Sequence, residues 1–227
     1  MPKIITSKEA AALVKEGSSI MFGGFLGCGT AKKVVHELKN LGTKNLTAYC
    51  NDGGKFLADG TPYGIVELFI NKQVKKFFCS HIGMTPVIGE QMTSGELEVV
   101  LCPQGSLAEM IRAGGAGLGG VLTPTGVGTL TEEYEYVRKR VNLDGVDYLL
   151  LKPQKADFAI IEGAKVDKAG NVWYKGTARN FCPVMATAGK TVIVEAEELV
   201  EIGTIPPEDV VTPGIYVDYI VYDGGNK

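Results

Sequence analysis

The sequence predicts an α/β fold: a mostly parallel open sheet with helices on both faces, and a β-rich C-terminal half. The first observation is a run of four strand–loop–helix units between residues 19 and 113, a pattern typical of parallel sheets. The second is 30 glycines, where average usage gives roughly 16. The third is 45% hydrophobic residues in 227, with no visible linker, which indicates one domain over residues 1–227.

The first elements follow from capping and stop signals. Thr6, with Glu9 three residues later, forms a capping box, so a helix is predicted over residues 7–15. Gly17 ends that helix. The apolar run Ser19–Phe22 then predicts a short buried strand.

The second helix is predicted to begin at Thr30, whose hydroxyl can cap it, and to end at Gly42. Val34, Val35 and Leu38 give this helix an apolar face. The remaining strands and helices of the first half are predicted at residues 46–50, 65–70, 74–79, 87–92, 97–101 and 106–113.

The second half is richer in strands. A long Gly/Thr loop is predicted over residues 114–129, and loops of that length are usually functional or disordered. Asp144-Gly145 and Ala169-Gly170 predict the turns of two hairpins. Further strands are predicted at residues 158–161, 191–194 and 215–221.

Charge and composition exclude several classes of protein. A net charge of −3 leaves no basic patch, so we expect no nucleic-acid partner. No apolar run approaches the roughly 20 residues that span a bilayer, and the N-terminus lacks the features of a signal peptide, so we expect a cytoplasmic protein without a membrane segment. Five cysteines without a CxxC pair indicate neither a metal site nor a disulfide framework.

The predicted strands of the first half each end in a polar or Gly-rich turn, and these turns would meet at one sheet edge, where α/β ligands bind. The first turn carries Gly24, Gly27 and Gly29 in the spacing G-x-x-G-x-G. Its backbone N–H groups could hold an anion or a thioester oxyanion. A tight turn that needs positive φ explains the same glycines equally well.

Two side chains at this edge are candidates for substrate contacts. Gln104 lies between Pro103, which extends the chain, and Gly105, which frees it, so its amide can point into the crevice. Asn51 follows the second strand, where an asparagine more often caps a turn. A surface turn residue remains the alternative for Gln104.

Other groups are weaker candidates. His81 follows a strand and is either an acid–base group or a structural residue, and Glu162 is the best-placed carboxylate after a strand. The glycine run 113–120 could cradle phosphates, form a lid or make a contact between subunits. No Walker A sequence, G-x-S-x-G elbow or HExxH motif is present.

The segment 17–29, which reads Gly-Ser-Ser-Ile-Met-Phe-Gly-Gly-Phe-Leu-Gly-Cys-Gly, resembles the signature of family I (3-oxoacid) CoA-transferases, A or alpha subunit, of the acetate/butyrate–acetoacetate type. Glu16 and Ala31 depart from that signature, which has Asp or Asn and Pro there. Further landmarks of the resemblance lie at residues 51–52, 80–83, 103–107, 111–117, 123–129 and 178–181.

This resemblance implies a fold like those of CoA-transferases and ribose-phosphate isomerases, with CoA as substrate and no metal. It places the nucleophilic glutamate in an S-E-N-G motif of a homologous beta subunit, within an α2β2 enzyme; the present sequence has no S-E-N-G. It assigns supporting hydrogen bonds to Gln104 and Asn51. It assigns CoA contacts to Gly23, Gly24, Phe25, Leu26, Gly27, Cys28 and Gly29, and to Gly114, Gly115, Ala116 and Gly117.

Two other functions remain open at the level of sequence. A stand-alone phosphosugar-isomerase-like enzyme would need an internal acid–base pair, for which His81 and Glu162 are the candidates. A non-catalytic module that binds CoA esters would bind ligand without turnover, even with a beta subunit present.

Overall fold

The structure is a computed structural model that describes residues 1–224, and a nine-stranded sheet forms its centre. Its strands and those of two small sheets are β1 Lys3–Ile5, β2 Ser19–Phe22, β3 Leu46–Tyr49, β4 Gly54–Phe56, β5 Pro62–Gly64, β6 Val74–Cys79, β7 Glu98–Leu101, β8 Val121–Thr123, β9 Val137–Leu143, β10 Val146–Leu151, β11 Ala156–Asp167, β12 Val172–Trp173, β13 Gly189–Val200 and β14 Tyr219–Val221. The α-helices are α1 Ser7–Leu13, α2 Lys32–Leu41, α3 Val66–Ile70, α4 Pro86–Thr93, α5 Gln104–Gly115 and α6 Cys182–Ala186.

The large sheet has the order β1-β14-β13-β11-β2-β3-β6-β7, and every neighbouring pair on this path is parallel. Only β12, which pairs with β11 outside the path, is antiparallel. The predicted mostly parallel sheet is therefore confirmed. The four strands of the first half are direct neighbours, so their carboxyl ends lie side by side.

Each face of the sheet carries its own hydrophobic cluster, because successive strand residues point to opposite faces. On β2, Ile20 and Phe22 pack with the buried face of α2, while Met21 packs with that of α5. The predicted apolar residues of α2 are at most 2% exposed. Helices thus cover both faces, as the sequence predicts.

The C-terminal half adds the second sheet, β8-β10-β9. The predicted turn between β9 and β10 is confirmed: Asp144 and Gly145 have φ values of 52° and 83°, as a two-residue hairpin turn requires. The turn at Ala169-Gly170 joins β11 to β12 as predicted. β11 is far longer than the predicted strand over residues 158–161, and together with β13 it forms the centre of the sheet.

Several predicted boundaries are wrong. Thr30 does not cap α2; Ala31 holds that position, and the Thr30 hydroxyl donates instead to the carbonyl of Gly23. Residues 114–129 are not one long loop, because α5 continues to Gly115 and β8 follows. The predicted strand over residues 215–221 begins only at Tyr219. Strand β1 and the hairpin β4–β5 were absent from the sequence prediction.

Candidate active site

Polar groups from three neighbouring strand ends meet at the carboxyl edge of the sheet. The amide Nε2 of Gln104, after β7, donates to Oδ1 of Asn51, after β3, at 2.6 Å. The hydroxyl of Ser80, after β6, donates to the same Oδ1 at 3.0 Å. The sequence therefore located this edge correctly, and the two predicted amides are in direct contact.

Asn51 is completely buried, so its side chain lies beneath Gln104 and does not face the crevice. Its Nδ2 donates to Oδ2 of Asp52 at 2.7 Å, and its Oδ1 accepts from Gln104 and Ser80. These bonds fix which way the Asn51 amide points. Asn51 consequently orients Gln104, whose own side chain is exposed at the first residue of α5.

The carboxylate of Asp52 joins two loops of the site and is only 3% exposed. It accepts from Asn51 and from the backbone N–H groups of Gly54 at 2.7 Å and Leu26 at 3.0 Å. A carboxylate that receives several N–H groups holds them firmly, since charge-assisted bonds are stronger than neutral ones. Sequence reasoning gave Asp52 no role, although it stands beside Asn51 in the motif.

The Gly23–Gly29 loop is a closed turn. Phe25 and Cys28 exchange both backbone hydrogen bonds at 3.0 Å, and Leu26 and Gly27 between them have positive φ. Five of the seven N–H groups donate inside the protein, to the acceptors Ile160 O, Asn180 Oδ1, Cys28 O, Asp52 Oδ2 and Phe25 O. Gly27 and Gly29 carry the two N–H groups of the loop that are left to bind an anion, and the closed turn accounts for the other five.

Asn180 closes this loop from the other side of the sheet's edge. Its Oδ1 accepts from Gly24 N at 3.2 Å, and its Nδ2 donates to Cys28 O at 2.9 Å. A Cβ on Gly24 would overlap the Thr30 hydroxyl, so this glycine is required by packing inside the protein. The sequence showed Asn180 as a landmark of the resemblance but gave no sign of these contacts.

An open pocket of about 300 Å³, which we call the α5–α6 pocket, lies beside Gln104. Its apolar wall consists of Phe25, Ala108, Phe181 and Val184. The amides of Gln104 and Asn180 also line it, and no charged side chain of the described residues does. The pocket therefore suits an uncharged apolar group next to a hydrogen-bonding amide.

The second predicted glycine segment, Gly114 to Gly117, begins at the opposite end of α5 from Gln104. Gly114 and Gly115 end α5, about 16 Å along the helix from Gln104. A Cβ on Gly114 would overlap the carbonyl oxygen of Gln154, and one on Gly115 would overlap the Thr187 side chain. These two glycines are needed for close packing, and the structure does not bring them to the Gln104 amide.

Glu162 lies within β11 and not after a strand as predicted; it pairs with Glu195 of β13, two residues beyond Ile160, the last residue of β11 that pairs with β2. Burial raises its pKa to about 8, and a hydrogen bond with Glu197 adds to the effect. His81 follows β6, three strand spacings away, which corresponds to about 14 Å across the sheet. The two groups do not form an acid–base pair.

Four thiols, those of Cys50, Cys79, Cys102 and Cys182, are buried, and only Cys28 is partly exposed. Burial raises the pKa of Cys102 and of Cys182 to about 12. In residues 1–224, no group of three or more His, Cys, Asp or Glu side chains has the placement of a metal site. In the same residues, no helix combines the length and the apolar character needed to cross a membrane.

The sequence and the fold of this chain are similar to those of known CoA-transferases. A family model described as coenzyme A transferase matches residues 4–223. The acetoacetyl-CoA:acetate/butyrate CoA transferase alpha subunit of Clostridium acetobutylicum is 50% identical over 222 residues, which cover 96% of this chain and 97% of that protein. The acetate CoA-transferase subunit alpha of Escherichia coli K12 is 44% identical over 225 residues and 99% of both chains.

Among solved structures, an acyl-CoA transferase from Escherichia coli O157:H7, determined as a thioester complex with CoA, superimposes with a TM-score of 0.85 at 23% identity. The match covers 98% of this chain and 47% of that one, so the fold described here corresponds to about half of the longer protein.

Proposed function

Because this chain belongs to the coenzyme A transferase family, we propose that it is the alpha subunit of a heteromeric enzyme that moves CoA between a short-chain acyl-CoA and a carboxylate. One observation carries this proposal: two relatives match almost the whole chain, the alpha subunit of an acetoacetyl-CoA:acetate/butyrate CoA transferase at 50% identity and that of an acetate CoA-transferase at 44%. Acetate, butyrate and acetoacetate are accordingly the carboxylates we expect.

We place the nucleophilic glutamate on a homologous beta subunit, in an α2β2 assembly. The present sequence has no Ser-Glu-Asn-Gly, and no carboxylate lines the α5–α6 pocket beside Gln104. Glu162 is a poor alternative, because it does not line that pocket and its raised pKa keeps it largely protonated near neutral pH.

In the proposed reaction, the partner's carboxylate attacks the acyl-CoA carbonyl, the C–S bond breaks, and an anhydride and CoA thiolate result. The thiolate then attacks the glutamyl carbonyl, which releases the first carboxylate and leaves a glutamyl-CoA thioester. A second carboxylate reverses these steps and departs as acyl-CoA. Each attack builds negative charge on a carbonyl oxygen, so a fixed hydrogen-bond donor accelerates it.

Gln104 is the donor we assign to that oxygen. Its amide carries two N–H groups, one of which is already bound to Asn51. The second is free to donate to the developing oxyanion. Asn51, held by Asp52 and Ser80, is the positioning residue that keeps this amide from rotating.

The Gly23–Gly29 loop is the segment to which we assign CoA contacts. Since most of its N–H groups are used within the protein, we assign it a rigid wall formed by Phe25 and Leu26, with Gly27 and Gly29 as the available donors. The segment Gly114 to Gly117 has no part in this proposal.

Co-expression with a beta subunit carrying Ser-Glu-Asn-Gly tests the proposal. Incubation of the purified complex with acetoacetyl-CoA, followed by borohydride trapping, should modify a glutamate of the partner chain only, as peptide mass spectrometry would show. Gln104→Ala should lower kcat about 10²-fold, the usual cost of losing one oxyanion donor, whereas Glu109→Ala on the same helix should not.

Modification of this chain instead, or CoA transfer by this chain alone, would contradict the assignment of the nucleophile. Binding of CoA esters without turnover by the complex would favour the non-catalytic module. The isomerase-like alternative has no observation in its favour, because His81 and Glu162 lie about 14 Å apart across the sheet.

A further inference from the structure

We infer that the α5–α6 pocket binds the acyl chain and that Ala108 and Val184 set which acyl groups fit. This inference rests on the proposed function, since it names the substrate class of the same site. The class is a short, uncharged acyl group.

The pocket extends along α5 from Gln104. Gln104 and Ala108 are four residues apart on α5, so they share one face of that helix one turn apart. An acyl carbonyl that accepts from the Gln104 amide therefore directs its alkyl chain along the helix toward Ala108. The opposite wall comes from Phe181, which is only 8% exposed, and from Val184 of α6.

Hydrogen bonds hold the walls of the pocket in place. Phe25 stands in the Gly23–Gly29 loop, which its own backbone bonds and Asp52 keep closed. The backbone N–H of Phe181 donates to Oδ1 of Asn180 at 2.6 Å. Walls fixed in this way cannot move outward without breaking hydrogen bonds. The pocket therefore discriminates between acyl chains of different length.

The described residues give the lining of the pocket no charge. No Lys, Arg or His of the described residues lines the pocket, so a second carboxylate on the acyl group would lose its hydration without gaining a cation. Acyl groups such as succinyl are therefore excluded, whereas acetyl and butyryl are accepted. A hydrophobic pocket distinguishes one methylene by about 10- to 200-fold, which leaves room for a measurable preference.

The test uses the purified complex with the beta subunit and compares kcat/KM for acetyl-, butyryl-, hexanoyl- and succinyl-CoA. Ala108→Leu, which fills the pocket, should lower the butyryl/acetyl ratio at least about tenfold, and Val184→Ala, which enlarges it, should raise the hexanoyl/acetyl ratio by a similar factor. Ala58→Leu on the exposed turn between β4 and β5 and Val146→Ala on the exposed side of β10 are matched controls that should leave both ratios unchanged.

A variant that introduces a positive charge tests independently whether the uncharged lining excludes a second carboxylate. Val184→Lys supplies the missing cation, so the succinyl/acetyl ratio should rise at least about tenfold, as a new charged pair in a partly buried site allows.

Unchanged ratios in variants that still transfer the acetyl group would overturn this inference and leave the proposed function intact. A wild-type complex inactive with every acyl-CoA would instead overturn the proposed function. If Ala108→Leu prevents assembly, the Val184 variants decide the matter, because they remove or replace a partly exposed side chain.

Discussion

At the scale of single residues, the side chain of Asn180 joins the Gly23–Gly29 loop to a segment more than 150 positions later in the sequence. It accepts from Gly24 N and Phe181 N and donates to Cys28 O and Thr177 O. Both ends of the amide are therefore used, and the donor end faces two carbonyl oxygens. No side chain that lacks either a donor or an acceptor can replace it.

Asn180→Asp tests this arrangement with almost no change in shape. The new carboxylate would face the carbonyl oxygens of Cys28 and Thr177 without a proton to share, so we expect a loss of about 1–3 kcal/mol in the free energy of unfolding. Turnover of the complex should fall as well, because the loop moves. Denaturant unfolding measures the first effect, and the same change at exposed Asn40 should have little effect. Equal stability of the two variants would contradict the role given to Asn180.

The proximity of Asn51 and Gln104 could be predicted from the sequence, because both follow strands that end at one edge of a parallel sheet. The sequence could not predict that Asn51 is buried and positions Gln104, while Gln104 is exposed to the crevice. Whether an amide is buried depends on what covers it, and the groups around Asn51 come from Ser80 and Gln104, 29 and 53 positions away.

At the scale of elements, α5 serves two needs. Its first residue, Gln104, presents the amide to the site, and its last residues, Gly114 and Gly115, let the helix lie against the backbone of Gln154 and the side chain of Thr187. Glycine normally weakens a helix interior, so their presence here reflects a contact that leaves no room for Cβ.

Gly114→Ala and Gly89→Ala form a matched pair that tests this contact. The substitution Gly114→Ala would place a methyl group against the Gln154 carbonyl, so we expect the free energy of unfolding to fall by about 1–3 kcal/mol. Gly89 lies in α4 with open space around it, so the same change should stabilise the protein by up to about 1 kcal/mol. Thermal unfolding of both variants measures the difference. A Gly114→Ala protein as stable as the wild type would show that α5 can shift freely.

Two elements with local signals agree with their predictions: strand β6 has the predicted bounds, residues 74–79, and the Asp-Gly turn lies between β9 and β10. Prediction from local sequence fails where two different structural causes produce the same residue pattern. A dense glycine run is expected both of a phosphate-binding loop and of a helix end pressed against a neighbour, and Gly114-Gly115 are the second case. The place of β11 between β2 and β13 depends on pairings across more than 130 residues, which no local pattern reveals.

At the scale of the whole molecule, three carboxylates lie near one another on β11 and β13: Glu195 is buried, Glu162 is half-buried and Glu197 is exposed. Glu195 accepts from Lys33 N and Val34 N at 3.2 and 3.0 Å, and Glu162 shares a hydrogen bond with Glu197. Burial raises the pKa of Glu195 as well as that of Glu162. The folded protein thus holds protons that the unfolded chain releases.

The pH dependence of stability follows from this difference. The pKa of Glu162 rises from 4.5 to about 8 on folding, so between these values the folded state binds more protons, and the free energy of unfolding falls as pH rises. Glu162→Gln should remove this loss, and its stability relative to the wild type should increase between pH 5 and pH 8.5 by on the order of 4 kcal/mol. Denaturant unfolding at both values measures it, with exposed Glu208→Gln as the control. The same pH slope in wild type and Glu162→Gln would contradict the prediction.

The distribution of the five thiols gives the protein a built-in labelling position. Four sulfurs are sealed in the hydrophobic interior, while Cys28 stands partly exposed on the Gly23–Gly29 loop, beside Thr177. Because only thiolates react readily with alkylating reagents, and burial suppresses the thiolate at the other four positions, a fluorophore can be attached at Cys28 without prior mutagenesis. Such a dye would report directly on the surroundings of this loop when substrates and a second subunit arrive.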